Sequence, residues 1–209
     1  MAAPQSATPR DIDKVNGRIS AEAGQPYGGL STVNGSITLA QGSRSKSVET
    51  VNGSITASDT VSSGNVSTVN GSIHFGRQAR IDGDAETVNG SIFFDRGSQV
   101  RGSISTVNGS IGIVGSEIGH DIETVNGDIT VGADSRVKGA VKVEKPQGNF
   151  GNWFGKQKIP RIVIGPNAVV EGPLVFEREV KLYIHATART GSIKGATAIR
   201  YDGSAPPRD

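Results

Sequence analysis

The chain reads as an all-β protein, a parallel β-helix or β-solenoid built from coils of 18–19 residues. Two observations predict this. The core Val-Asn-Gly occurs seven times, with its asparagine at 16, 34, 52, 70, 89, 108 and 126, at successive spacings of 18, 18, 18, 19, 19 and 18 residues. A period this regular means that each copy is one unit stacked on the next. Within each unit apolar and polar residues then alternate, as they do along half-buried strands.

Composition suits a thin core. Residues of the AVILMFWYC set make up 34% of the 209, aromatics only 5%, and glycine supplies 29 positions. A single unit so poor in large apolar groups could not stand alone, whereas stacked coils bury one continuous column. The net charge of +2 is too small to imply nucleic-acid binding, and no recognition helix or base-stacking module is visible. The absence of cysteine excludes a disulfide framework and thiolate metal sites.

In chain order, residues 1–10 form a polar, proline-containing tail. Its Ala2-Ala3-Pro4 start looks like that of a mature exported chain, which points to the periplasm or the cell surface; the cytoplasm is the alternative. The repeat solenoid spans 11–144. Its first coil is atypical, with Lys14 and Arg18 where later copies carry Thr and Ser, as expected of a coil that caps an open end. In Val33-Asn34-Gly35-Ser36-Ile37-Thr38-Leu39, Val, Gly, Ile and Leu share one parity, while Asn, Ser and Thr share the other. A straight strand places Val and Ile inside and Thr, Asn and Ser outside. The other register bends at Asn-Gly, where both residues tolerate left-handed conformations, and turns the asparagines inward as a hydrogen-bonded ladder. The straight strand is preferred because it buries more apolar surface. A second strand, such as Ile81-x-Gly83-x-Ala85-x-Thr87, follows in most coils, giving two main strands and two corners, with room for a third short strand.

Residues 145–161 interrupt the pattern as an aromatic and basic inserted loop. The beat resumes over 162–201 with Ile162-Val163-Ile164-Gly165-Pro166-Asn167, in coils that lack Val-Asn-Gly but belong to the same domain; 202–209 form a tail.

Three sets of residues are candidate sites. The outward row Thr50/Asn52/Ser54, Thr68/Asn70/Ser72 and Thr87/Asn89/Ser91 could present hydroxyls and amides to a glycan or to ice. Same-face ladder packing already explains the row and is favoured, because the next outward column, Thr38, Thr56, His74, Phe93, Gly112 and Thr130, is not regular. The inserted loop offers Phe150, Trp153 and Phe154 beside Lys156 and Lys158. Residues 134–161 carry seven cations against two acids, so the rest of the chain is net acidic. Such a loop could meet an anionic membrane surface, a glycan or an envelope protein, or fold back on the solenoid. Asp82-Gly83-Asp84-x-Glu86 has a spacing that outward strand positions also give, and His74, His120 and His185 have no metal-ligand spacing. No catalytic order, phosphate loop or clustered acids appear, so neither enzyme activity nor a cofactor or metal is expected.

The repeated Thr-Val-Asn-Gly-Ser-Ile resembles the adhesin-like bacterial β-strand-repeat family, whose function is unknown and whose members are usually exported. The resemblance covers about 11–143 and carries over no catalytic residues. Ile164-Gly165-Pro166-Asn167-Ala168-Val169-Val170-Glu171-Gly172 is similar to bactofilins, polymer-forming cytoskeletal β-helices. These resemblances imply a non-enzymatic structural scaffold of the cell envelope or, in the bactofilin direction, a filament subunit that self-associates end to end.

Overall fold

The computed structural model describes residues 9–146 and 158–207. Among them every secondary-structure element is a strand, and every pairing between strands is parallel. Three sheets run along the stack: face I with ten strands, face II with ten and face III with seven. One coil illustrates the plan: Ser47–Asn52 lies on face I, Ile55–Ala57 on face II, and Ser62–Ser63 on face III. Ten rungs about 4.8 Å apart make a stack roughly 50 Å long.

The sheets hold one apolar column. Along face I it runs Leu30, Val48, Val66, Ala85, Ile104 and Ile122. Face II adds Ile37, Ile55, Ile73, Ile92, Ile111 and Ile129, all 0–1% exposed. Face III supplies Ile81, Val100, Ile118, Val137 and Val170. Phe75 and Phe94 stack at 5.2 Å within the column. Identical residues lie over one another because an 18–19-residue circuit returns each position to its own place one rung later.

The straight-strand register is corrected by the structure. The chain bends at Asn-Gly, so Thr and Val exchange places relative to the expectation. Thr32, Thr50, Thr68, Thr87, Thr106 and Thr124 face inward at 1–5% exposure, while Val33, Val51, Val69, Val88 and Val107 face solvent at 39–41%. Parity resets at the corner, so inward Thr50 before it and inward Ile55 after it are five residues apart. The less favoured register had the bend and the ladder right, but the asparagines lie outside.

The second strand is likewise two pieces. Arg80–Ile81 belongs to face III and Ala85–Asn89 to face I, with a corner at 82–84. A Cβ on Gly83 would lie 1.8 Å from Asn65 Oδ1, so a larger residue here would displace the Asn65 amide from its place in the corner. Side-chain oxygens seal it from coil to coil: Asn65 Oδ1 accepts from Asp84 N–H, Asp84 Oδ1 from Ser103 N–H, and Asp121 Oδ1 from Ala140 N–H. The third short strand is therefore real, and each coil is a three-cornered circuit.

The corner between faces II and III uses a left-handed residue in coil after coil: Gly42, Thr60, Gln78, Gly97, Gly115, Asp134 and Asn167, with φ from +51° to +78°. Gly suits this conformation, and Asn and Asp tolerate it. A β-branched threonine does not.

Charged residues occupy core-column positions at both ends. Lys14 stands at the first Thr position, its Nζ donating to Arg18 O at 2.8 Å, and Arg200 is the partner of Ile184 in the last strand of face II. The insertion replaces the Asn-Gly corner of one coil. It leaves after Val141–Val143 on face I and returns before Arg161–Ile164 on face II. Phe150, Trp153, Phe154 and Lys156 lie outside the described residues.

Substitutions at the column and at the left-handed corner check this register. Ile92→Asp places an unpaired charge in the column and should abolish cooperative unfolding, whereas Ser91→Asp, on an exposed position, should leave the thermal midpoint within a few degrees. Thr60→Gly should raise stability by about 0.5–1 kcal/mol in denaturant melts, because it removes left-handed strain at a smaller entropic cost; a loss would contradict the corner assignment.

Candidate functional site

Each letter of Thr-Val-Asn-Gly has a separate physical task at the corner between faces I and II. Successive glycines approach so closely that a Cβ on Gly53, Gly71, Gly90 or Gly109 would lie 1.9–2.0 Å from the carbonyl oxygen of the glycine one coil earlier. No side chain fits there. The same carbonyl accepts a hydrogen bond from the next coil's buried threonine: Thr50 Oγ1 to Gly35 O, Thr68 to Gly53 O and Thr87 to Gly71 O, each 2.9 Å. The threonine thus spends its hydroxyl on the backbone. The series ends at Thr124, whose Oγ1 is buried with no hydrogen-bond partner.

The asparagines form the outer rim of the corner. Each Nδ2 donates to Oδ1 of the asparagine one coil earlier, from Asn34→Asn16 to Asn126→Asn108, at 2.9–3.1 Å. All six bonds point the same way, so the amide dipoles add head to tail. The last acceptor, Asn126 Oδ1, is met by the Arg178 guanidinium at 2.6 Å, which places a cation at the negative end of the ladder. Arg178 also donates to Val125 O at 3.2 Å and to Lys158 O at 3.4 Å, bracing the point where the repeat is interrupted.

Next to this rim, face I presents two further columns to solvent. One is the valine ladder, from Val15 at 68% exposure through Val107 at 40%. The other alternates acid and serine: Asp13, Ser31, Glu49, Ser67, Glu86, Ser105 and Glu123 are successive register partners. Lys142 closes this column, its Nζ donating to Asp121 and to Glu123 (2.6 Å to the latter); these hydrogen bonds, to Asp121 first and then Glu123, hold its ammonium pKa above the usual lysine value. Asp13, Glu49 and Glu86 form no ion pair among the described residues.

At the interruption a cleft of about 490 Å³ opens between Gly109, Ser110, Asn126, Gly127, Asp128, Lys158 and Pro160. Lys158 is spoken for: its Nζ is 2.7 Å from Asp128 Oδ2, while Asp128 Oδ1 accepts from Arg161 N–H. Arg161 in turn lies over the Tyr183 ring and donates to Pro207 O at 2.6 Å, tying down the C-terminal segment. This basic end of the insertion therefore closes the fold.

The expected outward row thus divides. Thr50, Thr68 and Thr87 point into the stack. Asn52, Asn70 and Asn89 stand outside in the ladder, and Ser72 and Ser91 are exposed, with Ser54 half-buried. Ser54 and Ser72 use Oγ to accept the N–H of the serine one coil later. The valine ladder was missed because valine shares parity with the inward isoleucine four residues on and so reads as core. The sequence signal that could have found it is the Thr before six of the seven Val-Asn-Gly copies, whose hydroxyl suits an inward position beside a backbone carbonyl. Among the described residues no three metal-ligating side chains cluster.

Gly90→Ala must push the Gly71 carbonyl out of the stack and should cost about 2–4 kcal/mol in chemical denaturation, the size of a severe backbone conflict. Thr68→Val keeps the shape and strands the Gly53 carbonyl, for about 1 kcal/mol. Equal, negligible effects would show that the corner is not held this way.

Comparison with family models, curated proteins and solved structures found no match.

Proposed function

We propose that this chain is a non-enzymatic, adhesin-like scaffold of the bacterial cell envelope, a stiff stack that holds one flat face toward a binding partner. The observation that carries the reading is the exposed valine ladder, kept solvent-facing coil after coil beside amides and acids. β-branched valine suits a strand on either face, and a continuous exposed stripe of it, rimmed by amides and acids, is the kind of surface that marks interaction sites. The chain's repeat resembles that of exported β-strand-repeat proteins, which sets the expected compartment.

The filament reading draws on the outer edge of the first strand, Arg10–Asn16, which is unpaired among the described residues and which a second copy could extend. Lys14 and Arg200 weigh against it, because end-to-end stacking would bury charges at both junctions. A hydroxyl array for ice or glycan is disfavoured by the inward threonines.

Fractionation of cells that express the full gene, combined with sedimentation of the purified chain, tests the reading. The scaffold is expected in the envelope fraction and as a monodisperse particle across protein and salt concentration. Cytosolic location with concentration-dependent fibres would replace it with the filament.

A further inference from the structure

We infer that the solvent face of face I binds an extended, lysine-bearing polypeptide in the polyproline II conformation, laid lengthwise along the valine ladder. The inference deepens the reading of this face as the contact surface.

Three columns set the partner's chemistry. The valines at 39–41% exposure form an apolar floor along the stack. On one side the acids Asp13, Glu49 and Glu86 recur every second rung, separated by Ser31 and Ser67. The alternation avoids placing like charges directly opposite, and it leaves all three acids exposed without a cation among the described residues. On the other side each asparagine from Asn34 to Asn126 commits one amide hydrogen to the ladder and keeps a second for an outside acceptor.

The repeat distances choose the conformation. Acids two rungs apart recur at about 9.6 Å. A polyproline II chain turns once in three residues at about 3.1 Å each, so a residue type at every third position recurs at about 9.3 Å. Over the two intervals from Asp13 to Glu86 the mismatch stays near 0.6 Å, within the reach of a lysine side chain. A β-strand partner repeats its same-side residues at about 6.8 Å and drifts out of phase after one interval. Polyproline II also carries no internal hydrogen bonds, so its carbonyls are free for the asparagine amides, and its rings suit a valine floor. The acids supply the complementary charge and the valines the desolvated contact.

The test uses the full chain and two synthetic peptides of equal length and charge, one with lysine at every third position among prolines and one with the same lysines clustered at one end. Fluorescence anisotropy at low salt should show the first binding about tenfold more tightly, weakening as salt rises. Glu49→Gln with Glu86→Gln should lower that affinity about two- to thirtyfold, the size expected for two exposed ion pairs. Val69→Ser with Val88→Ser, both at exposed positions and without added charge, should weaken the preference by removing part of the apolar floor, while the thermal midpoint shows that the fold is intact. Equal binding of both peptides, no binding, or self-association through this face would overturn the inference. Failure of the peptides with an envelope location retained removes the partner class alone. Periodic binding by a cytosolic chain removes the envelope reading alone.

Discussion

One close approach of backbone to backbone governs the rest of the molecule. At the corner between faces I and II, a Cβ on one glycine would reach 1.7–2.2 Å from the carbonyl oxygen of the glycine below it, from Gly35 through Gly127. Only glycine lets the chain turn here at the rung spacing of a sheet. Once the chain turns, the residue before the exposed valine points inward and must be small, branched and able to donate to that carbonyl. Threonine meets all three demands. The asparagine beside the glycine then sits at fixed intervals over its copies, where an amide can donate and accept at once. A four-residue motif is thus fixed by one steric contact and its consequences.

The ladder has direction, and the structure respects it. Each amide donates toward the N-terminal end, so the acceptor end falls at Asn126, where the insertion removes the next corner. Arg178, from a coil without the motif, supplies the charge-assisted bond that the missing asparagine would have made. The repeat ends there in chemistry and not in architecture. The coils beyond it keep all three faces through Ile162, Val170 and Leu174 while abandoning the Thr-Val-Asn-Gly motif as a whole. That the four residues disappear as a set agrees with their acting as a set.

The period made the solenoid legible, because nothing else returns Ile37, Ile55 and Ile73 to one position every 18 residues. The atypical first coil and the interruption after Val143 were legible for the same reason. The register was not. Alternation over seven residues assumes an unbroken strand, and hydrophobicity favours valine over threonine inside; both fail at a corner whose cause is contact between coils, which no local pattern contains. Thr60 and Gln78 at left-handed corners were invisible too, since neither residue type advertises that conformation. Of the candidate site, the asparagines and serines were placed on the correct side and the threonines on the wrong one. The ladder of valines, hidden by the same error, became the most informative surface.

Thiol accessibility tests the corner most directly, because the chain contains no cysteine of its own. Thr68→Cys and Val69→Cys put a single thiol on adjacent residues, one facing inward and one facing solvent. Under native conditions the thiol at 69 should react with a maleimide at nearly the rate of an unfolded peptide, and the thiol at 68 should be protected until the protein unfolds. Rapid labelling at 68 with protection at 69 would restore the straight-strand register and contradict a corner built on inward threonine.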